Sequence, residues 1–154
     1  MEIEKQIESM GLTLLRIGPP IGHLVRTVRV GNLVFVSGFI GRGPNGVIQG
    51  TLGQDLKVEQ GYEAARFAAL NLLSLLKDDI GDLDKVKRIV KLLSFVKSTP
   101  DSRELPKVTD GASDLLVELY GENGKHARST VGVVNVGGGS CVEIEMVVEL
   151  KDGA

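Results

Sequence analysis

The spacing of apolar and polar positions divides the chain into short strand-like runs and two long stretches of helical period. Leu12 to Ile17 reads as a short strand ahead of the Pro19-Pro20 break, and Leu24 to Val30 as the next. Gly31-Asn32 then makes a tight turn, since both residue types tolerate positive φ, and Leu33-Val34-Phe35-Val36-Ser37 pairs back as the second arm of a hairpin. Its unbroken apolar run predicts a central strand covered on both faces. Gly41 to Gly46 is a loop that lacks a phosphate-loop lysine and opens no helix, which removes a nucleotide-binding reading.

From Asp55 to Lys77 the period becomes helical. Val58, Tyr62, Ala65, Ala69, Leu72 and Leu76 share one face, widened by Ala64, Ala68 and Leu75, and the small alanines predict close packing on a sheet. Val86 to Val96 follows as a long strand, and Lys85, Lys87, Arg88 and Lys91, alternating with Val86, Ile89 and Val90, mark its solvated edge. Pro106, Val108, Ala112, Leu115, Leu116 and Leu119 outline a second amphipathic helix stopped by Gly121. Ser129 to Val136, a turn at Gly137-Gly138-Gly139-Ser140, and Val142 to Leu150 close the chain as a hairpin. The expected fold is α+β, a mainly antiparallel sheet with two helices packed on one face. Val34, Val36, Val134, Val136 and Val147 leave the other face partly apolar, which marks an assembly surface.

Composition narrows the function classes. A chain of 154 residues suits one domain over residues 1–154, and its net charge of -2 gives no electrostatic reason to bind nucleic acid. Cys141 is the only cysteine and His23 and His126 the only histidines, so no internal disulfide forms and no structural metal is expected. His23, alone before a strand, reads as structural. There is no apolar run of the roughly 18 residues needed to span a bilayer, and the start Met1-Glu2-Ile3-Glu4-Lys5 is unlike a signal peptide. A cytoplasmic location without membrane partners is the expectation.

If the terminal hairpin is regular, Val136 faces Cys141, Val134 faces Glu143 and Arg128 faces Glu149. Val131, Val133, Ile144 and Met146 would then lie under the helices, and Arg128, Thr130, Glu143, Glu145 and Glu149 on the open face. Arg128 and Glu143 would be roughly 20 Å apart at ~3.3 Å per residue, so a site using both would form between subunits. The planar fork of Arg128 suits a carboxylate, with a salt bridge to Glu149 as the plain alternative. Glu143 could orient or deprotonate a water, or simply belong to a hydrophilic face.

Gly31-Asn32-Leu33-Val34-Phe35-Val36-Ser37-Gly38-Phe39-Ile40, Ala127-Arg128-Ser129-Thr130-Val131 and Val142-Glu143-Ile144-Glu145, in this order and spacing, resemble the signature regions of the reactive intermediate deaminase (Rid) superfamily. Its members are also called L-PSP endoribonucleases or translation inhibitors. The resemblance covers about residues 20 to 150, leaves an N-terminal extension, and is closest to a divergent bacterial branch. It implies a chorismate-mutase-like fold, a homotrimer with ligand clefts between subunits, and hydrolysis of 2-imino or 2-enamino acids to 2-oxo acids and ammonia without metal or cofactor. Arg128 would anchor the substrate carboxylate, Glu143 would position water, and Ser37 and Gly38 would line the cleft. Leu24, Phe39 and Thr130 stand where the resemblance implies tyrosine, glutamine and cysteine, and Asp110 near an asparagine, so the implied cleft mouth is more apolar. The competing readings are a non-catalytic trimeric module that binds a small carboxylate or regulates a partner, and an endoribonuclease, which the acidic charge and absence of a histidine pair oppose.

Overall fold

A computed structural model describes residues Met1–Ala154. Three helices, α1 (Glu2–Ser9), α2 (Val58–Ile80) and α3 (Leu105–Tyr120), accompany seven strands, β1 (Thr27–Val30), β2 (Leu33–Ile40), β3 (Arg42–Gly43), β4 (Gly46–Val47), β5 (Val86–Lys97), β6 (Ala127–Val133) and β7 (Val142–Leu150). Five strands form one sheet in the order β1-β2-β7-β5-β6, and β3 and β4 make a separate small ribbon. Every pairing in the large sheet is antiparallel except that of β5 with β6. The chain therefore has the mainly antiparallel α+β fold expected, with α1 as an added helix.

The long helices form where the period of three to four is strongest. Leu72, Leu73 and Leu76 of α2 are wholly buried, each contributing about 2 kcal/mol of hydrophobic stabilisation. Ala64, Ala65, Ala68 and Ala69 are also buried and let the helix lie close to the sheet. Gly41 admits that approach, because a Cβ there would meet the Ala64 carbonyl oxygen at 2.5 Å. The contact of α2 with α3 is tighter still: a Cβ on Gly111 would stand 1.9 Å from the Tyr62 carbonyl oxygen. Tyr62 donates to Asp114 and Arg66 pairs with Glu118 at 3.1 Å, tying the two helices on their outer side. Gly31 turns β1 into β2 with a φ of 59°, and Asn32 keeps negative φ.

The terminal hairpin does not form. Strand β5, helix α3 and strand β6 make a parallel crossover, with Leu92 beside Arg128 and Ser94 beside Thr130. The chain then passes the end of β5 and inserts β7 between β2 and β5, so that Met146 pairs with Leu92 and Val36, and Glu143 with Phe95 and Ile40. Glu149 is consequently not opposite Arg128; it pairs across the sheet with Leu33 and Arg88, and its carboxylate with Lys87 at 2.9 Å.

Face assignments change with this topology. Ile144 and Met146 lie under the helices and Glu143, Glu145 and Glu149 on the open face, as expected. Arg128 and Thr130 instead face α3, and Val131 is exposed on the open side. Val34 and Val36 are buried under the helices and Val136 is buried in the loop that follows β6, so they do not contribute to the open face. Leu33 and Phe35 are exposed there, and β2 alternates rather than being covered on both sides. Leu12 to Ile17 has no regular structure; Leu12, Leu14 and Ile17 pack on the core as an extended segment.

Candidate functional site

The residues singled out in the sequence fall into two groups on one sheet. The first gathers where β2 ends. There the register with β7 shifts between Val36 and Phe39, and the irregularity carries Ser37 and Gly38. Ser37 is held on both sides: its N–H donates to the Arg26 carbonyl at 2.8 Å and its hydroxyl to the Val25 carbonyl at 2.7 Å. Gly38 leaves the space that Glu143 occupies, since a Cβ at residue 38 would stand 3.2 Å from the Glu143 carboxyl carbon. Glu143 is half-buried and takes part in no ion pair of the chain. A carboxylate without a cation beside it keeps its lone pairs for a water or ligand. Leu24 and His23 are exposed just ahead of Val25, whose carbonyl holds the Ser37 hydroxyl, whereas Phe39 pairs with the buried Ile144 and packs against the core, on the face opposite Glu143.

The second group sits on the far edge of the sheet, on its helix side. Arg128 reaches α3, where one terminal nitrogen, Nη1, donates to Asp110 at 2.8 Å and to the Ser113 hydroxyl at 3.1 Å. The other, Nη2, makes only a long contact of 3.4 Å to the Pro106 carbonyl. The edge formed by Nε and Nη2 is thus the part of the fork left for a carboxylate. Thr130 donates to Thr109 at 3.0 Å, and Thr109 donates in turn to the buried Ser94 at 2.9 Å.

His126 completes the second group. Its Nδ1 lies 2.6 Å from the Gly124 carbonyl, which can only accept, so Nδ1 carries the proton and Nε2 accepts from the Ser113 hydroxyl at 2.9 Å. Burial lowers the imidazole's affinity for a second proton, and the charge of Arg128 lowers it further against the opposing pull of the Gly124 carbonyl. The neutral ring and the hydroxyl together orient Arg128.

Within one chain the two groups stay apart. From Arg128 the ladder crosses Leu92 to Met146, and Glu143 lies three residues further along β7. That is two strand spacings and three residue rises, each about 10 Å. The two side chains also point to opposite faces. A cavity of about 400 Å³ on the open face is lined by Val28, Phe35, Ser37, Lys91, Leu93 and Glu145, and borders neither Arg128 nor Glu143. Arg128 with Asp110, Ser113 and His126 was legible in part, since Asp110 and Ser113 share a helix face at a spacing of three. What hid the cluster was the assumed hairpin, which turned Arg128 to the wrong side.

Elsewhere, Glu4, Asp82 and Asp84 bring carboxylate oxygens within 4.8 Å of one another. Asp84 accepts from the N–H groups of Glu2 and Ile3 at 2.7 and 2.9 Å, and Glu4 accepts from Leu83 N–H at 3.0 Å, so the cluster joins α1 to the turn before β5. None of the helices is long and apolar enough to cross a membrane.

A family profile described as "YjgF/chorismate mutase-like, putative endoribonuclease" matches residues 4–148. Protein TCP17 of Trypanosoma cruzi is 38% identical over 152 residues, covering 97% of this chain and 95% of that one. A crystal structure of a protein of unknown function from Agrobacterium tumefaciens superposes with a TM-score of 0.87 at 35% identity, over 96% of this chain and 91% of that one. A Shewanella oneidensis crystal structure described as a "putative endoribonuclease" does so with a TM-score of 0.90 at 32% identity, over 96% and 99%. With the profile spanning nearly the whole chain and these relatives matching it end to end, the protein belongs to the YjgF/L-PSP, or reactive intermediate deaminase, superfamily.

Proposed function

We propose that the protein hydrolyses 2-imino or 2-enamino acids to 2-oxo acids and ammonia, in clefts formed between copies of the chain. The observation that carries this reading is the pair of incomplete groups: an uncompensated Glu143 carboxylate against Gly38 and Ser37, and an arginine fork with one open edge on the opposite margin of the sheet. An acid that must hold water and a cation that must hold a carboxylate are the two requirements of the reaction, and one chain leaves them apart. Head-to-tail contact around a closed ring would bring the Arg128 edge of one copy to the Glu143 region of the next. Val28, Leu33, Phe35 and Val131 leave apolar area exposed for such contact, and a homotrimer is the ring we favour.

In this scheme the Nε and Nη2 edge of Arg128 binds the substrate carboxylate. Glu143 orients a water toward the carbon of the protonated imine and takes its proton, the C–O bond forming as the C=N π electrons move to nitrogen. Glu143 then returns that proton to the carbinolamine nitrogen, and as the hydroxyl gives up its proton to solvent the C–N bond breaks, releasing ammonia and leaving the 2-oxo acid; an enamino acid enters by taking up a proton at C3 to become the imine. Ser37 and Gly38 line the cleft, with Leu24 at its mouth and Thr130 beside the anchor. Soluble chemistry of this kind fits a cytoplasmic protein. Arg128→Ala is expected to slow ammonia release from freshly generated imino acid by about a hundredfold or more, as for loss of a preorganised charge-stabilising donor. Unchanged release by that variant would exclude the mechanism.

A second reading, a non-catalytic module that binds a small carboxylate, draws on the ion pair that already neutralises Arg128 through Asp110. It requires carboxylate binding that disappears with Arg128 and no turnover by the parent protein. Turnover on any imino acid would rule it out.

A further inference from the structure

The Ser113 hydroxyl links Arg128 to a second basic group. It accepts from Arg128 Nη1 at 3.1 Å and donates to Nε2 of His126 at 2.9 Å, while Nδ1 of that ring is spent on the Gly124 carbonyl at 2.6 Å. One oxygen thus lies between a permanent cation and a group able to become one. Ser113, His126 and Arg128 are each half-buried, so packing holds all three and water still reaches them. Asp110 already fixes the guanidinium at 2.8 Å; the imidazole adds a partner whose charge depends on pH.

A second proton on His126 would change what the hydroxyl does. Nε2 would then donate to Ser113 Oγ, the hydroxyl would turn its hydrogen to the helix carbonyl four residues back, and its oxygen would accept from two cations at once. Asp110 is the carboxylate in contact with them. The other charges on neighbouring elements are turned elsewhere. Asp114 and Glu118 of α3 are engaged by Tyr62 and Arg66 of α2, and Lys125 in the turn before β6 pairs with Glu122. Arg88 of β5 reaches the Lys125 carbonyl, and Lys91 of β5 lines the open-face cavity. The doubly protonated cluster therefore carries excess positive charge, which an anion on the free Nε and Nη2 edge relieves. Burial first, and the charge of Arg128 after it, lower the proton affinity of the ring. A carboxylate that neutralises Arg128 weakens the second of these effects, and by reciprocity the proton then favours the carboxylate. We propose that His126 and Ser113 are positioning residues that couple the anchor to pH, so that Arg128 holds a carboxylate more tightly once His126 takes its second proton. This rests on the reading of Arg128 as the carboxylate anchor, and adds that the ligand binds with uptake of a proton.

Two measurements on the full-length protein test the coupling, with pyruvate as the probe because it stays ionised between about pH 5.5 and pH 8 and needs no turnover. The chain has two histidines, so proton NMR follows both, with the exposed His23 as the reference. Saturating pyruvate should move the titration midpoint of His126 upward and leave that of His23 in place. In calorimetric titrations the parent should bind pyruvate about threefold more tightly at pH 5.5 than at pH 8. His126→Gln, whose amide oxygen can still accept from Ser113 but takes up no proton, should bind it equally at both. A His126 midpoint that pyruvate leaves unmoved, or a pH dependence that survives in His126→Gln, would overturn the coupling and leave the anchor standing. Pyruvate that binds Arg128→Ala as tightly as the parent would sink the anchor itself, and the coupling with it.

Discussion

If Arg128 anchors a carboxylate as proposed, Asp110 sets how strongly it holds it. Its carboxylate lies 2.8 Å from the guanidinium and is half exposed, so it both fixes the fork and opposes any second carboxylate brought to it. Asp110→Asn keeps a hydrogen-bonding oxygen and removes the charge. We expect KM for a monocarboxylic imino acid to fall several-fold in that variant with kcat little changed, the pattern of an interaction present equally in ground and transition states. A raised KM would mean that Asp110 serves mainly to aim the arginine. His126 acts on the same residue through Ser113, and its proton affinity is lowered by burial first and by Arg128 second. A histidine whose folded pKa lies below its ordinary 6.5 contributes stability that is complete above that value and lost as pH falls through the folded one. The melting temperature should therefore hold between pH 8 and about pH 7 and decline toward pH 5.5, with a flatter profile in His126→Asn. Equal decline in the two proteins would contradict the assignment.

At the scale of elements, the setting of Arg128 depends on how closely α3 approaches α2. Gly111 stands between Asp110 and Ser113, and no side chain fits at its crossing with Tyr62. Gly111→Ala is expected to destabilise the fold by about 3 kcal/mol and to weaken carboxylate binding as α3 moves out, checked by chemical denaturation and titration. A neutral substitution would mean that the helices can separate freely. The same level shows what could be read from the chain. Both long helices and β5 were legible because Ala65, Ala69, Leu72 and Leu76, and the β-branched run from Val86, carry their period locally. The partner of β6 was not, because Gly137-Gly138-Gly139-Ser140 reports a change of direction and nothing about which strand lies alongside. The sequence did contain a strand, a helix and a strand from Val86 to Val133, the pattern of a parallel crossover. That pattern makes β6 parallel to β5, but the apolar Val131 and Val133 still assign Arg128 to the open face, so its side was not legible. Its contacts with Asp110 and Ser113 depend on how α3 sits on the sheet, which periodicity does not encode.

For the whole molecule, one sheet carries the Arg128 and Glu143 groups apart. The hairpin reading separated the two residues along one ladder; the structure separates them across strands and by face, so the proposed site still calls for a second copy. In the proposed ring, heterologous contact repeats one interface, so each cleft would take its arginine from one copy and its glutamate from the next. The most direct test is to refold equal amounts of Arg128→Ala and Glu143→Gln together. Each variant alone should be nearly inactive. The mixture should recover about a quarter of the parent activity, because one site in four then joins an intact Arg128 to an intact Glu143. A mixture as inactive as its components, with subunit exchange verified by mass, would contradict a cleft shared between chains.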